Sequence, residues 1–427
     1  EDMPEYMTMI GNIDFDTFDA GGLLADTDDA VRSMLSLGSA AIGLADNPDN
    51  AFYVDANAGM SMRIGRFGIG VRSFIEGAGF VEDLDLDNMG IEQTEGEFAA
   101  AINSAAASTS GFDAGTYSRK AYSQTQYDTL VAKIGDENAV KYLDYQLFRL
   151  SNEGEGLTEQ NIDDSYTFVN SIDFNTPEGS ANSLENNETV VAVRGFGLVE
   201  VPVSFGYAFN ENLSIGITAK AMYGVVSGTK LWFFDEDATE DALDSASDNT
   251  EATLNFGLDL GVLYRMKMLQ FAIVGHNLNG PKFDGFSDTI DLKNDNGDVI
   301  ATKALKVSDY KIDPQVTIGA AFIPSPRFTL EVSYDLLETG TLLENYDIQR
   351  LSFGGEFDVW LLSLRLGAYN NLAADWMGWV GTGGVGVNLF GVRLDVGGAY
   401  SFQDTASYED SDIPAEARLY AGLSFEF

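Results

Sequence analysis

The sequence predicts an all-β protein, a transmembrane antiparallel β-barrel of about 14 strands within a range of 12–14. Three observations predict it. A period-2 alternation of apolar and polar residues recurs from residue 51 onward. The links between the alternating stretches are by turns short and long. Ala417 to Phe427 alternate without a break, with Ala417, Leu419, Ala421, Leu423, Phe425 and Phe427 on one face. A barrel in lipid must close on itself, because an open edge leaves backbone groups unpaired in hydrocarbon.

The segments follow in order. Val54, Ala56, Ala58, Met60, Met62 and Ile64 face away from Asp55, Asn57, Gly59, Ser61 and Arg63. Leu213, Ile215, Ile217 and Ala219 alternate with Ser214, Gly216, Thr218 and Lys220, and Leu254 to Val262 alternate with Asn255, Gly257, Asp259 and Gly261. Thirteen segments emerge: 51–64, 66–81, 188–209, 212–232, 251–266, 268–279, 303–323, 327–338, 346–358, 361–372, 376–389, 391–403 and 414–427. Single-chain bacterial barrels have even strand numbers, so a fourteenth strand is expected nearby. Tight turns fall at Gly65, Asn210–Glu211, Met266–Lys267, Pro324–Pro326, Trp360 and Phe390, and long links at 82–187, 233–250, 280–302, 339–345 and 404–413. Short turns belong at the periplasmic end and long loops outside.

Two stretches break the pattern. Residues 1–50, with the apolar run VRSMLSLGSAAIGLA, are expected to plug the lumen or its periplasmic mouth, because a barrel this wide is not filled by its own side chains. The link 82–187 carries helical spacing at Tyr127, Leu130, Val131, Ile134, Val140, Leu143 and Leu147, and is read as an acidic, partly helical extracellular insert. The domains are therefore the plug, 1–50, and the barrel, 51–427.

Composition bounds the function. A formal charge of -43 and a pI near 4.1 exclude nucleic acid as a partner, since phosphate binding needs a basic face. The absence of Cys excludes disulfides and thiolate metal sites. The chain begins at an acidic Glu1, and the expectation is a mature form from which a signal peptide has been removed.

Several stretches resemble the TraF-type outer-membrane proteins of plasmid conjugal transfer, relatives of the FadL-like transport barrels. They are ANAGMSMRIGRFGIGVRSF (56–74), GFGLVEVPVSFGYAFNENLSIGITAKAM (195–222), FGLDLGVLYRMKMLQFAIVGHNLNGPKF (256–283), YKIDPQVTIGAAF (310–322), and VWLLSLRLGAYNNLA through VRLDVGGAYSF (359–402). The resemblance implies an outer-membrane barrel for small or hydrophobic solutes, with ADNPDN at 45–50 the nearest candidate for a hatch motif. The alternative is a surface structural or interaction protein with a blocked lumen, possibly related to conjugation.

The inward face carries Arg63, Arg72, Arg194, Glu200, Lys220, Asp259, Glu331, Arg350, Glu356, Arg365, Arg393, Asp395 and Arg418, read as a selectivity lining or as ion pairs bracing the wall. Folding the 188–232 hairpin at its turn places Glu200 beside Lys220. The acidic loop 235–251 holds eight carboxylates and no base. Asp83, Asp85, Asp87, Asp295 and Asp298 have oxygen-ligand spacing that could hold Ca²⁺, although neither stretch fits the twelve-residue EF-hand pattern. One His and no Cys leave no motif for nucleophilic catalysis, and no enzyme is expected. The expected setting is the outer membrane of a Gram-negative-type bacterium, as a monomer among lipid and lipopolysaccharide.

Overall fold

The computed structural model describes residues 27–46, 51–86, 88, 94–152, 159–174, 187–232, 249–293, 299–343, 346–374, 377–389, 392–402, 406–408, 411–414 and 416–426. Chain order gives α1 (Asp28–Asp46), β1 (Ala51–Ile64), β2 (Phe67–Glu82), α2 (Glu95–Ser108), α3 (Gln124–Ile134), α4 (Glu137–Asn152) and α5 (Glu159–Ser171). The wall continues with β3 (Val190–Ala208), β4 (Leu213–Trp232), β5 (Thr250–Met266), β6 (Leu269–His276), β7 (Gln315–Ser325) and β8 (Phe328–Asp335). It ends with β9 (Arg350–Val359), β10 (Leu362–Asn371), β11 (Trp379–Leu389), β12 (Val392–Ser401) and β13 (Ala417–Glu426).

These strands close into one barrel, each pairing antiparallel with its neighbours in sequence, except at the seam. There β1 runs parallel to β13, from Gly59 opposite Gly422 to Arg63 opposite Glu426. Parallel closure follows from an odd count, because both strands then run from the long-loop end to the short-turn end. The expected fourteenth strand is absent among the described residues: the apolar run it was sought near is helical, since its apolar positions surround a helix rather than alternate. Segment 303–323 is also divided. Residues 299–307 belong to a hairpin inside the lumen, and the wall resumes at Gln315.

Alternation sorts the wall. Leu254, Phe256, Leu260 and Val262 on β5, and Leu362, Leu364 and Leu366 on β10, are exposed on the outside, an apolar face suited to hydrocarbon. Gly, Ser, Thr and charged residues take the alternate positions. At the β9–β10 turn Trp360 is 93% exposed and holds a φ of +57°, a conformation unusual for so bulky a residue. The position keeps its indole at the rim, where aromatic rings suit a membrane interface. No helix among the described residues is long and apolar enough to cross a membrane.

The helices form a separate core at the long-loop end. Val31, Met34, Leu35 and Ile42 of α1 pack with Phe98, Leu130, Leu143 and Phe168, and Gly38 lets the Phe168 ring lie against the helix. Residues 28–46 are thus the central helix of this core, and of the remainder of 1–50 only residue 27 is described. Capping boxes start α2 at Thr94–Glu97 and α3 at Ser123–Gln126, each satisfying two otherwise orphan backbone donors. Asp28 knits the cap: Tyr142, Gln146 and Thr109 donate to its carboxylate and Arg149 pairs with it at 3.2 Å. Burial alone lifts this carboxyl, but those hydrogen bonds and the Arg149 charge outweigh it and hold the group below the usual carboxylate range.

Candidate functional site

The sequence-predicted charges all occupy inward positions, and the fold gathers most of them into three groups. On β2–β6 they form a line: Arg72 lies 3.6 Å from Glu200, Lys220 lies 3.8 Å from Glu200 and 2.9 Å from Asp259, and His276 Nδ1 lies 3.7 Å from Asp259. The Lys220 side chain is only 4% exposed, so its two carboxylates offset a desolvated charge. On β9–β12, Arg365 contacts Glu356 at 2.5 Å and Asp395 at 2.8 Å, while Arg393 contacts the same two at 3.0 and 3.1 Å. Across the seam, Arg418 holds Asp55 through two N–H groups at 2.9 and 3.1 Å, and also pairs with Glu416.

The others stand apart. The Arg194 guanidinium lies 4.8 Å from the Phe80 ring centroid and that of Arg350 lies 5.2 Å from the Tyr369 centroid. Glu331 borders a small hollow with Glu356 and Arg365. Arg63 donates through Nε to the Gly65 carbonyl at 3.3 Å. Of the acidic loop residues, Asp83 pairs with Lys230 at 3.5 Å, and Asp85 accepts from the Asn88 side chain and the Glu188 N–H. Asp87, Asp295 and Asp298 lie outside the described residues, and no cluster suited to a metal occurs among the described ones.

Two larger cavities lie in the lumen among the described residues. One, of about 760 Å³, lies mid-barrel and is bordered by Leu198, Glu200, Lys220, Tyr310, Ile312 and Arg350, among others. The second, of about 820 Å³, lies toward the short turns. Ser61, Arg72, His276 and Ser424 border both, so the two adjoin.

What closes the lumen toward the long loops was not read from the sequence. The segment between β6 and β7 folds inward, carrying a hairpin of Phe286–Lys293 and Val299–Val307. The fully buried Phe283 lies against Gly224, where an added Cβ would come within 2.3 Å of its ring, and Val307 lies against Gly228 in the same way at 2.5 Å. Both glycines are inward positions of β4, four residues apart. Inward glycines in a strand mark a close approach of another chain segment, and that was the signal available in YGVVSGTK. Beyond the hairpin, Tyr310 stacks on Phe196 with centroids 4.0 Å apart and donates its hydroxyl to the buried Glu76 at 2.8 Å. The β8–β9 loop also crosses the lumen, placing Tyr346 edge-on to Tyr53 of β1.

Among solved structures the chain is similar to the CymD monoaromatic hydrocarbon channel, at 16% identity over 51% of this chain and 74% of that one, TM-score 0.39. It is also similar to the Ralstonia pickettii toluene transporter TbuX, at 10% identity over 86% and 89%, TM-score 0.37. The P. putida toluene transporter TodX aligns at 10% identity over 86% and 88%, TM-score 0.36. No curated protein matches. Residues 77–335, more than half of the chain, match the family described as "F plasmid transfer operon, TraF, protein", and the chain belongs to that family.

Proposed function

We propose that this protein is a monomeric, passive conduit of the outer membrane for small or hydrophobic solutes, with a gate built from the segment between β6 and β7. The observation that carries the reading is the pair of adjoining lumen cavities, shut toward the long loops by Phe283, Val307 and Tyr310. A wall with Leu, Phe and Val on its outer face is at home in hydrocarbon, and a lumen mixing Leu198 and Ile312 with ion pairs accommodates solutes of either character. Its short turns would face the periplasm and its cap the outside, next to lipopolysaccharide.

The test is conductance in planar bilayers for the intact chain, for Tyr310→Phe, and for a chain lacking residues 286–307. The intact protein should conduct weakly, Tyr310→Phe more often, and the deletion continuously. Equal silence from all three would favour a permanently blocked surface protein whose cap is its working face.

A further inference from the structure

The short-turn cavity departs from the acidic character of the chain. Against 67 acidic and 24 basic residues overall, its border carries Arg63, Arg66, Arg72 and Arg265. Asp259 is the one carboxylate on that border among the described residues, and it already accepts from Lys220 at 2.9 Å and from the Asn277 N–H at 2.8 Å. Arg63 faces Glu426 in the seam register, and Arg72, 64% exposed, keeps a long 3.6 Å contact with Glu200. Arg66 and Arg265 form no ion pair among the described residues. The Arg66 guanidinium lies 5.2 Å from the centroid of Tyr207, which shares the outward face of β3 with Val203 and Phe205, so it sits at the outer rim, and the inward arginine of this border without an ion pair is Arg265. The mid-barrel cavity is opposite in character, with Glu76, Glu200, Asp313, Asp335 and Asp395 against Arg72, Lys220 and Arg350.

We propose that this vestibule binds a small soluble oxyanion, bearing phosphate or carboxylate groups, that enters from the short-turn side. Arginine forks match both groups bidentately. Arg63, Arg72 and Arg265 occupy inward positions, so the ligand is a solute of the wet lumen rather than a lipid headgroup. Low-dielectric walls lined by one sign of charge focus the field and raise local anion concentration. The carboxylate-rich cavity beyond Arg72 repels the same ion, so it is held at the vestibule rather than passed on. Binding is independent of whether the barrel conducts.

The experiment is calorimetric titration of the full chain, in neutral detergent at low salt, with inorganic phosphate and with succinate. Saturable binding is expected to at least one. Arg72→Gln with Arg265→Gln should raise its Kd about tenfold, while Arg327→Gln, on a short turn outside the cavity border, should leave it unchanged. Wild-type protein supplies a second readout that no folding defect can confuse: the bound anion should protect Arg72 and Arg265 from phenylglyoxal, mapped by mass spectrometry. No saturable binding, equal weakening by Arg327→Gln, or unprotected arginines would each overturn the proposal.

Discussion

Gly224 shows how one residue sets the state of the lumen. Its missing side chain is the space that the Phe283 ring occupies, so the gate segment rests on a position where β4 carries nothing. Gly224→Ala would place a Cβ 2.3 Å from that ring. Overpacking of this kind costs about 1–3 kcal/mol, and the strained partner here is the loop rather than the hydrogen-bonded strand. We expect the barrel to survive and the hairpin 286–307 to loosen, read as faster tryptic cleavage at Lys303 or Lys306 in the folded protein. Cleavage at the wild-type rate would show that Phe283 is not what seats the loop. Lys220 teaches a related lesson, since its shorter contact, 2.9 Å, is to Asp259 of β5 and not to Glu200. Hairpin folding identifies a neighbour, but the next strand along decides the stronger partner.

At the scale of elements, one carboxylate adds a polar anchor to the apolar packing that holds α1 in the cap. Asp28 is the single acceptor for groups from α4 and from Thr109 just beyond α2, and its charge is balanced by Arg149. Its folded-state pKa is depressed, so it contributes stability that is present above the unfolded value of about 3.9 and is lost as pH falls through the lower folded value. Thermal melts of the helical signal at 222 nm should therefore fall in midpoint below about pH 4 for the wild type. Asp28→Asn should be less stable at neutral pH and flatter across the acid range. A variant with the wild-type acid dependence would move the effect to another carboxylate.

For the whole molecule the decisive feature is the closure. With an odd number of wall strands among the described residues, β1 and β13 must run parallel, and the ladder fixes Met60 opposite Leu423. Both are outward positions, and the chain has no cysteine. A Met60→Cys and Leu423→Cys pair should react with a short bifunctional thiol reagent in the folded barrel, giving an unfolded product of altered gel mobility. An intervening fourteenth strand would separate the two positions by a further strand spacing, about 4.8 Å, and the cross-link would fail. The molecule is also polarised along its axis. Arginines border the short-turn cavity, carboxylates prevail in the cavity above it, and the acidic cap lies beyond.

Much of this architecture is legible in local pattern. Period-2 alternation alone sets which of Met60 and Ser61, or Leu260 and Asp259, faces outward, because pleat geometry and the cost of charge in hydrocarbon leave no freedom. The boundaries of β1, β4, β5, β9 and β10 fall within a few residues of the alternating segments for the same reason. Closure, gate and vestibule are different in kind. Nothing in the alternation of Ala51–Ile64 says whether it meets β13 directly or through another strand, since pairing register at a seam is a contact between chain ends. Residues 299–307 alternate as well as any wall strand, and only the Phe283 and Val307 contacts with Gly224 and Gly228 place them inside. The arginines of the short-turn end are scattered over one turn and three strands, and their convergence on one cavity depends on the barrel's curvature. Sequence by itself determined which residues face outward and which meet the lumen, because that choice is made residue by residue. Tertiary structure alone decided what fills the lumen and where its charges gather, because those follow from which distant segments the closed wall brings together.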